Sequence, residues 1–375
     1  AGNAHFVAGY RRYGRFFSMQ AGKIDIKSLL PEELAAALAE MGEKGFRAKQ
    51  VFAWLGRGVE SFDEMTDLSK ALRAKLDERF FLHPPKVLRK QVSAEDGTIK
   101  YLWGLADGNA VETVVMRYHH GNTVCISTQV GCRQGCAFCA STIGGLIRGL
   151  EPSEMLDEVM FSQKESGLPI SNIVLMGIGE PLDNFDNVMK FLKLVNHPQS
   201  LNIGMRHISL STCGLTEKFD KLAALNLQLT LSVSLHAPDD ETRSRLMPAN
   251  RGRGVAELMD ACERYFKTTG RRISFEYAMI NGVNDPPRQA QLLAAHARRV
   301  GAHVNLIPLN HVDERSFEPS TPERLAEFKA ELERAGVNVT VRRKLGGDID
   351  ASCGQLRKKA AAAGQGAGQD PGDGA

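Results

Sequence analysis

From Thr123 to Ala335 the sequence switches between two periodicities six times. The strand-like runs are TVCISTQV, NIVLMGI, HISLSTC, LTLSVSL, ISFEYAMI and HVNLIPL. The helical runs between and after them are PSEMLDEVMFSQKE, FDNVMKFLKLVN, LTEKFDKLAAL, VAELMDACERYFKT, RQAQLLAAHARRV and TPERLAEFKAELERA. Each unit takes roughly thirty residues, the length of a strand with its crossover helix. This alternation predicts an α/β fold on a parallel sheet. A further strand-like run, NVTVRRKL, follows. The pattern fits an open doubly wound sheet or an incomplete barrel, and in both the chemistry sits at the carboxyl ends of the strands. The unusual polar residues fall there. Gly179 and Glu180 follow the second strand, Ser211 closes the third, Ser234 and His236 the fourth, and Asn310 the sixth. One site at one mouth is expected.

Other segments read differently. Residues 24–85 carry apolar residues at helical spacing and predict a small helical domain. Residues 86–118 turn to strand periodicity, and TIKYLWGLADGNAVETVVM predicts a hairpin turning at Asp107-Gly108-Asn109. Residues 119–357 would form the main domain. Residues 1–23 read as a flexible extension, basic but without the apolar core of a signal peptide, and residues 358–375 as a disordered tail. The chain has 375 residues, is 43% apolar and 24% charged, and has no apolar run of about 18 residues. A membrane span is therefore not expected, and the cytoplasm is the expected address. Seven cysteines, an odd number, argue against a secreted disulfide framework. A net charge of +3 permits an acidic partner without requiring one.

Four cysteines crowd the stretch CISTQVGCRQGCAFC. Cys132, Cys136 and Cys139 form C-x-x-x-C-x-x-C, and Cys125 stands apart. Structural zinc usually takes four protein ligands, often as paired C-x-x-C motifs, and no second pair exists here. An iron–sulfur cube also takes four thiolates as a rule, so three leave one iron open for another ligand. A buried or zinc-binding loop is the plainer alternative.

CRQGCAFC resembles the radical-SAM signature. The strings CISTQVGCRQGCAFCAST, VLMGIGEPLDN, ISLSTCG, SVSLHAPDDETRSRLMPANR, VNLIPLN and GGDIDASCGQLR together resemble the RlmN-type adenine-C2 methyltransferases of 23S rRNA and tRNA. The resemblance runs from about Asp25 to Arg357. It implies an incomplete (β/α)6 radical-SAM barrel with a helical N-terminal RNA-binding domain and a β-hairpin linker. It further implies one 4Fe–4S cluster on Cys132, Cys136 and Cys139, with S-adenosylmethionine contacted by Gly179, Glu180, Ser211, Ser234, Leu235, His236 and Asn310. Taken singly, Ser211 could merely close a strand and His236 could be a core histidine.

The same resemblance implies a division of labour. Cys353 would carry a methyl group taken from a first S-adenosylmethionine. A second would supply the radical that joins the methyl carbon to the base, and Glu112 would accept the C2 proton. Cys125 would then attack Cys353, forming a disulfide that a reductant must reopen. Read without the resemblance, Glu112 is an exposed strand carboxylate. Cys213 has no matching role, and Cys262 lies in a helical run as a core residue. Lys44, Phe46, Arg47, Lys49 and Phe52 are candidate RNA contacts. So, near the mouth, are Arg206, Arg243, Arg245, Arg251, Arg253, Arg342, Arg343 and Lys344. The target base must leave its stack. The chain is expected to act as a monomer. Two other readings stay open: a Cfr-type enzyme acting at adenine C8, and a non-catalytic iron–sulfur carrier or RNA-binding module.

Overall fold

A computed structural model describes residues 22–119, 121–310, 312, 314–352 and 354–356. The expected extension and tail fall almost wholly outside the described residues, and Cys353 lies outside them too.

The chain opens with β1 (Ile24–Asp25), then α1 (Pro31–Glu40), α2 (Gly45–Gly56), α3 (Lys70–Arg79) and β2 (Phe80–Phe81), which pairs with β1. Pro31 starts α1, where its missing N–H costs nothing, and Ser69 Oγ caps α3 by accepting from Leu72 N at 3.2 Å. Ala48, Val51, Phe52 and Leu55 make one buried stripe along α2. These helices share the main core rather than owning one. A Cβ on Gly56 would stand 2.0 Å from Gln199 O, so glycine there allows α2 to seat closely.

Next come β3 (Lys86–Val92), β4 (Ile99–Gly104) and β5 (Ala110–Tyr118), successive antiparallel neighbours. The expected turn forms at Asp107-Gly108-Asn109, with Gly108 at φ 82° and Asp107 Oδ1 accepting from Asn109 N at 3.0 Å. The hairpin is more than a linker, because β5 pairs with β6 (Gly121–Cys125) and extends the main sheet.

The run read as one first strand divides in two. β6 ends at Cys125, and β7 (Gln129–Gly131) pairs with β8 (Leu146–Gly149) in a separate ribbon bracketing the cysteines. The alternation then proceeds through α4 (Pro152–Ser166), β9 (Ile170–Leu175), α5 (Phe185–Asn196), β10 (Ile208–Thr212), α6 (Phe219–Ala224) and β11 (Thr230–Ser234). It continues through α7 (Asp240–Leu246), α8 (Gly254–Thr269), β12 (Ser274–Met279), α9 (Pro287–Val300), β13 (His303–Pro308), α10 (Pro322–Arg334) and β14 (Val339–Val341). Sequence periodicity missed α7.

The sheet order is β14-β13-β12-β11-β10-β9-β6-β5-β4-β3, and every neighbouring pair from β6 to β14 is parallel. Strand order follows chain order without reversal. A doubly wound sheet reverses at a switch point, so the fold is the incomplete barrel. Among the described residues its edge strands are β3 and β14.

Candidate active site

A cavity of about 990 Å³, counting its open mouth, lies at the carboxyl ends of the parallel strands. Cys132, Cys136 and Cys139 all line it. Glycine shapes their loop. Gly131 has φ 77°, and a Cβ there would meet Gly145 O at 2.0 Å. The loop is held by Ala137 N to Leu246 O at 2.8 Å and by Ala140 N to Gly354 O at 2.8 Å. Arg315 Nη2 donates to Cys139 O at 3.0 Å.

Burial pushes the Cys132 thiol up to about 12 and raises Cys136 as well, with neighbouring thiols adding repulsion. A cation in place of the protons is the natural remedy. Among the described residues no three His, Cys, Asp or Glu side chains converge on a single-ion site. Three thiols lining one cavity are the donor set of a cube whose separate irons each meet one thiolate.

The polar wall follows from the strand ends. Gly179 has φ 111°, and a Cβ there would stand 2.7 Å from Gln129 Cβ. Glu180 is buried and lines the cavity. Its Oε1 accepts from Leu182 N at 3.0 Å and its Oε2 from Cys213 N at 2.7 Å. Burial raises its carboxyl pKa against the pull of these donors. Ser211 and Ser234 face each other from β10 and β11, Oγ to Oγ 3.4 Å, and both line the cavity with Asn310.

His236, at φ 55°, accepts from Ala278 N through Nδ1 at 2.9 Å. Burial, with Arg243 adding repulsion, pulls its pKa down to about 3. The ring is therefore neutral with its proton on Nε2, a donor beside the cavity it lines. Leu235 is not brought to the cavity: its side chain is in the core and its N–H bonds Glu276 O at 3.1 Å. Cys213, unassigned from sequence, lines the cavity, whereas Cys262 is in the core as expected.

Cys125 lines a second, adjoining cavity with Val114, Met116 and Ser352. Met176, Ile307, Pro308, Asn310 and Arg342 belong to the walls of both. The C-terminal segment crosses this boundary, since Ser352 lines the second cavity and Gly354 the first. Ser141 Oγ also donates to Leu356 O at 2.8 Å. Glu112 is buried, not exposed, and pairs with Lys100 at 3.1 Å. Lys100 Nζ also donates to Asp350 O at 2.9 Å. Strand alternation puts Glu112 on the face of β5 that carries Val114 and Met116.

Some basic and aromatic candidates move. Phe52 is buried in the α2 stripe, so it is no stacking platform. Phe46 is 53% exposed beneath the Arg47 guanidinium, with Lys44 and Lys49 exposed nearby. Arg206 precedes β10 and so sits at the amino end of the strands, away from the mouth. Arg243 is buried inside the fold. Arg253 pairs with Glu217 at 3.0 Å, whereas Arg245 and Arg251 are exposed. Arg342, Arg343 and Lys344 do line the second cavity. No described helix is long and apolar enough to cross a membrane.

Residues 126–291 match the family model for the radical SAM superfamily. Residues 24–82 match that of the ribosomal RNA large subunit methyltransferase N-terminal domain. A protein of Desulforamulus reducens named probable dual-specificity RNA methyltransferase RlmN is 52% identical over 338 residues, covering 90% of this chain and 97% of its own. One of the same name from Alkaliphilus oremlandii is 51% identical over 337 residues, covering 90% and 98%. A crystal structure of a radical SAM methyltransferase from Sphaerobacter thermophilus superposes with a TM-score of 0.85 at 43% identity, covering 89% of this chain and 99% of that one.

Proposed function

The chain belongs to the RlmN family of radical-SAM RNA methyltransferases, and we propose that it methylates C2 of adenosine in 23S rRNA, at the peptidyl transferase centre, and in tRNA, 3′ of the anticodon. The observation that carries this reading is the course of the C-terminal segment. It runs from the cavity of Cys125 into that of the cysteine trio, with Cys353 falling between Ser352 and Gly354 in sequence.

Cys132, Cys136 and Cys139 would hold one 4Fe–4S cluster. The wall of Gly179, Glu180, Ser211, Ser234, His236 and Asn310 would receive S-adenosylmethionine, with Leu235 contributing only as a spacer in the strand end. Bound together, these cofactors supply a methyl group and a radical that abstracts hydrogen. Cys353 would take the methyl on sulfur by displacement, giving up its thiol proton, and that methyl carbon, after losing a hydrogen atom, would join the base. The adduct radical would pass one electron to a one-electron acceptor, such as the oxidised iron–sulfur centre, and Glu112 would take the C2 proton. Its burial beside Lys100, on the β5 face leading to Cys125, supports this role.

Cys125 then attacks the Cys353 sulfur. An S–S bond would form, the C–S bond would break with its pair left on the methylene carbon, and that carbon would take a proton as the base departs carrying a methyl group. A dithiol reductant returns two electrons to the disulfide, and a separate donor reduces the cluster. The exposed Lys44, Phe46 and Lys49 and the half-buried Arg47, at the start of α2, would hold RNA backbone and bases. The enzyme would work as a monomer in the cytoplasm, where these RNAs reside.

Mass spectrometry of nucleosides from 23S rRNA fragments and tRNA, treated with the anaerobically reconstituted protein, tests the reading. 2-Methyladenosine is expected. 8-Methyladenosine would reassign the enzyme to the Cfr type. Failure to release 5′-deoxyadenosine would leave a non-catalytic binding protein.

A further inference from the structure

Arg243 on α7 is a buried cation, 2% exposed. Its Nε donates to Leu235 O at 3.1 Å and its Nη1 to Asn250 Oδ1 at 2.8 Å. Its Nη2 donates to Cys213 O at 2.7 Å and Ser234 O at 3.2 Å. Four N–H groups are thus spent on neutral acceptors. Among the described residues it makes no ion pair with a carboxylate within 4.0 Å. Asp240, an acid on the same helix, acts on Arg243 only from beyond ion-pair distance, with Oδ1 held by Asn250 Nδ2 at 3.0 Å and Val255 N at 2.7 Å. Hydrogen bonds to carbonyls solvate a guanidinium but do not cancel its charge, and an uncompensated buried charge is costly.

The surroundings show where a countercharge would sit. Cys213 and Ser234, two of the acceptors, line the first cavity. The last residue of α7 accepts from the cysteine loop, Ala137 N to Leu246 O at 2.8 Å. Pro248 just beyond lies 3.4 Å from where a Cβ on Gly135 would stand. Cys136 and Cys139 line that same cavity beside Cys213 and Ser234. A cube held by three thiolates is anionic, and reduction adds another negative charge.

We infer that Arg243 is the fixed countercharge of the thiolate-held cluster, a positioning residue that favours the ligated, reduced state and raises the potential at which the cluster accepts an electron. This rests on the assignment of Cys132, Cys136 and Cys139 as cluster ligands. The bland alternative is a brace that only ties β10, β11 and α7 together.

Arg243→Gln and Arg243→Lys separate the two. Glutamine keeps some hydrogen bonding and loses the charge, whereas lysine keeps the charge and cannot span all four acceptors. The full chain is reconstituted anaerobically, its iron and sulfide are measured, and its midpoint potential is read by EPR-monitored titration without RNA or S-adenosylmethionine. Arg243→Gln should shift the reduction equilibrium at least tenfold toward the oxidised state, about 59 mV for a one-electron couple. Arg243→Lys should recover most of that shift. Equal potentials in the two variants, or a wild-type potential in the glutamine variant, would overturn the inference. If the glutamine variant takes up no iron, loading decides: iron in the lysine variant supports the countercharge, and an empty lysine variant makes Arg243 a brace. Wild-type protein that never binds about four irons removes the ligand assignment itself.

Discussion

Glu180 already accepts hydrogen bonds from Leu182 N and Cys213 N before any ligand arrives. The carboxylate therefore braces the mouth and offers its remaining lone pairs to a cation. Glu180→Gln removes the charge and turns an NH₂ group toward one of those backbone donors. S-adenosylmethionine affinity should fall roughly tenfold to a hundredfold, matching the ~1.5–3 kcal/mol typical of a hydrogen bond to a charged group. Iron content should stay near wild type, because the thiols are untouched. Anaerobic equilibrium titration gives the answer, and an unchanged affinity would remove Glu180 from the ligand's contacts. Glu180 lies beyond the end of β9, and in a parallel sheet the loops after the strands converge on one mouth, so its place on the cavity wall is legible from the alternation alone. Sequence misplaced Arg243, because nothing local distinguishes a buried guanidinium from a solvated one. For Phe52 a signal existed, since Ala48, Val51 and Leu55 share its helical face.

α4 shows how an element can be tuned by its own acids. Glu151, just before its first turn, is pushed up to about 7 by burial, with Asp25 and Glu154 adding repulsion. The unfolded value is about 4.3. Between these values the folded state keeps a proton that the unfolded state releases, so stability falls as pH rises from about 4.3 to about 7 and levels off above. Glu151→Gln should abolish that slope and raise the denaturant midpoint at pH 8 relative to wild type. Parallel pH profiles for the two proteins would show that Glu151 is hydrated. The β7–β8 ribbon answers to sterics instead. Gly131→Ala would force a Cβ to 2.0 Å from Gly145 O at a positive φ. The cysteine loop should then lose its grip, visible as iron lost during gel filtration; full retention would show the ribbon to be dispensable. The ribbon escapes the sequence reading because its strands are three and four residues long, and α7 because DETRSRL has a single apolar residue, Leu246, and so no apolar stripe. The six longer units, spanning whole strands and helices, were plain.

Across the whole molecule, the choice between an open sheet and a barrel depends on strand order, which local pattern does not encode. The decisive facts are non-local: β6 beside β9, and β5 carrying the hairpin into the same sheet. That topology puts Cys125, at the end of β6, in a cavity next to the trio rather than within it. If Cys125 only resolves the adduct, Cys125→Ala should bind a full cluster, methylate Cys353 and release 5′-deoxyadenosine. Carbon–carbon bond formation precedes release, so RNA should remain joined to Cys353 through a methylene bridge. The product should be a protein–RNA conjugate that survives denaturing gels, with mass spectrometry after nuclease digestion locating the modified nucleotide on residue 353. Adding Cys353→Ala should abolish it, since the methyl carrier is gone. Normal turnover by Cys125→Ala, or a conjugate that persists without Cys353, would show that these two thiols do not divide the work in this way.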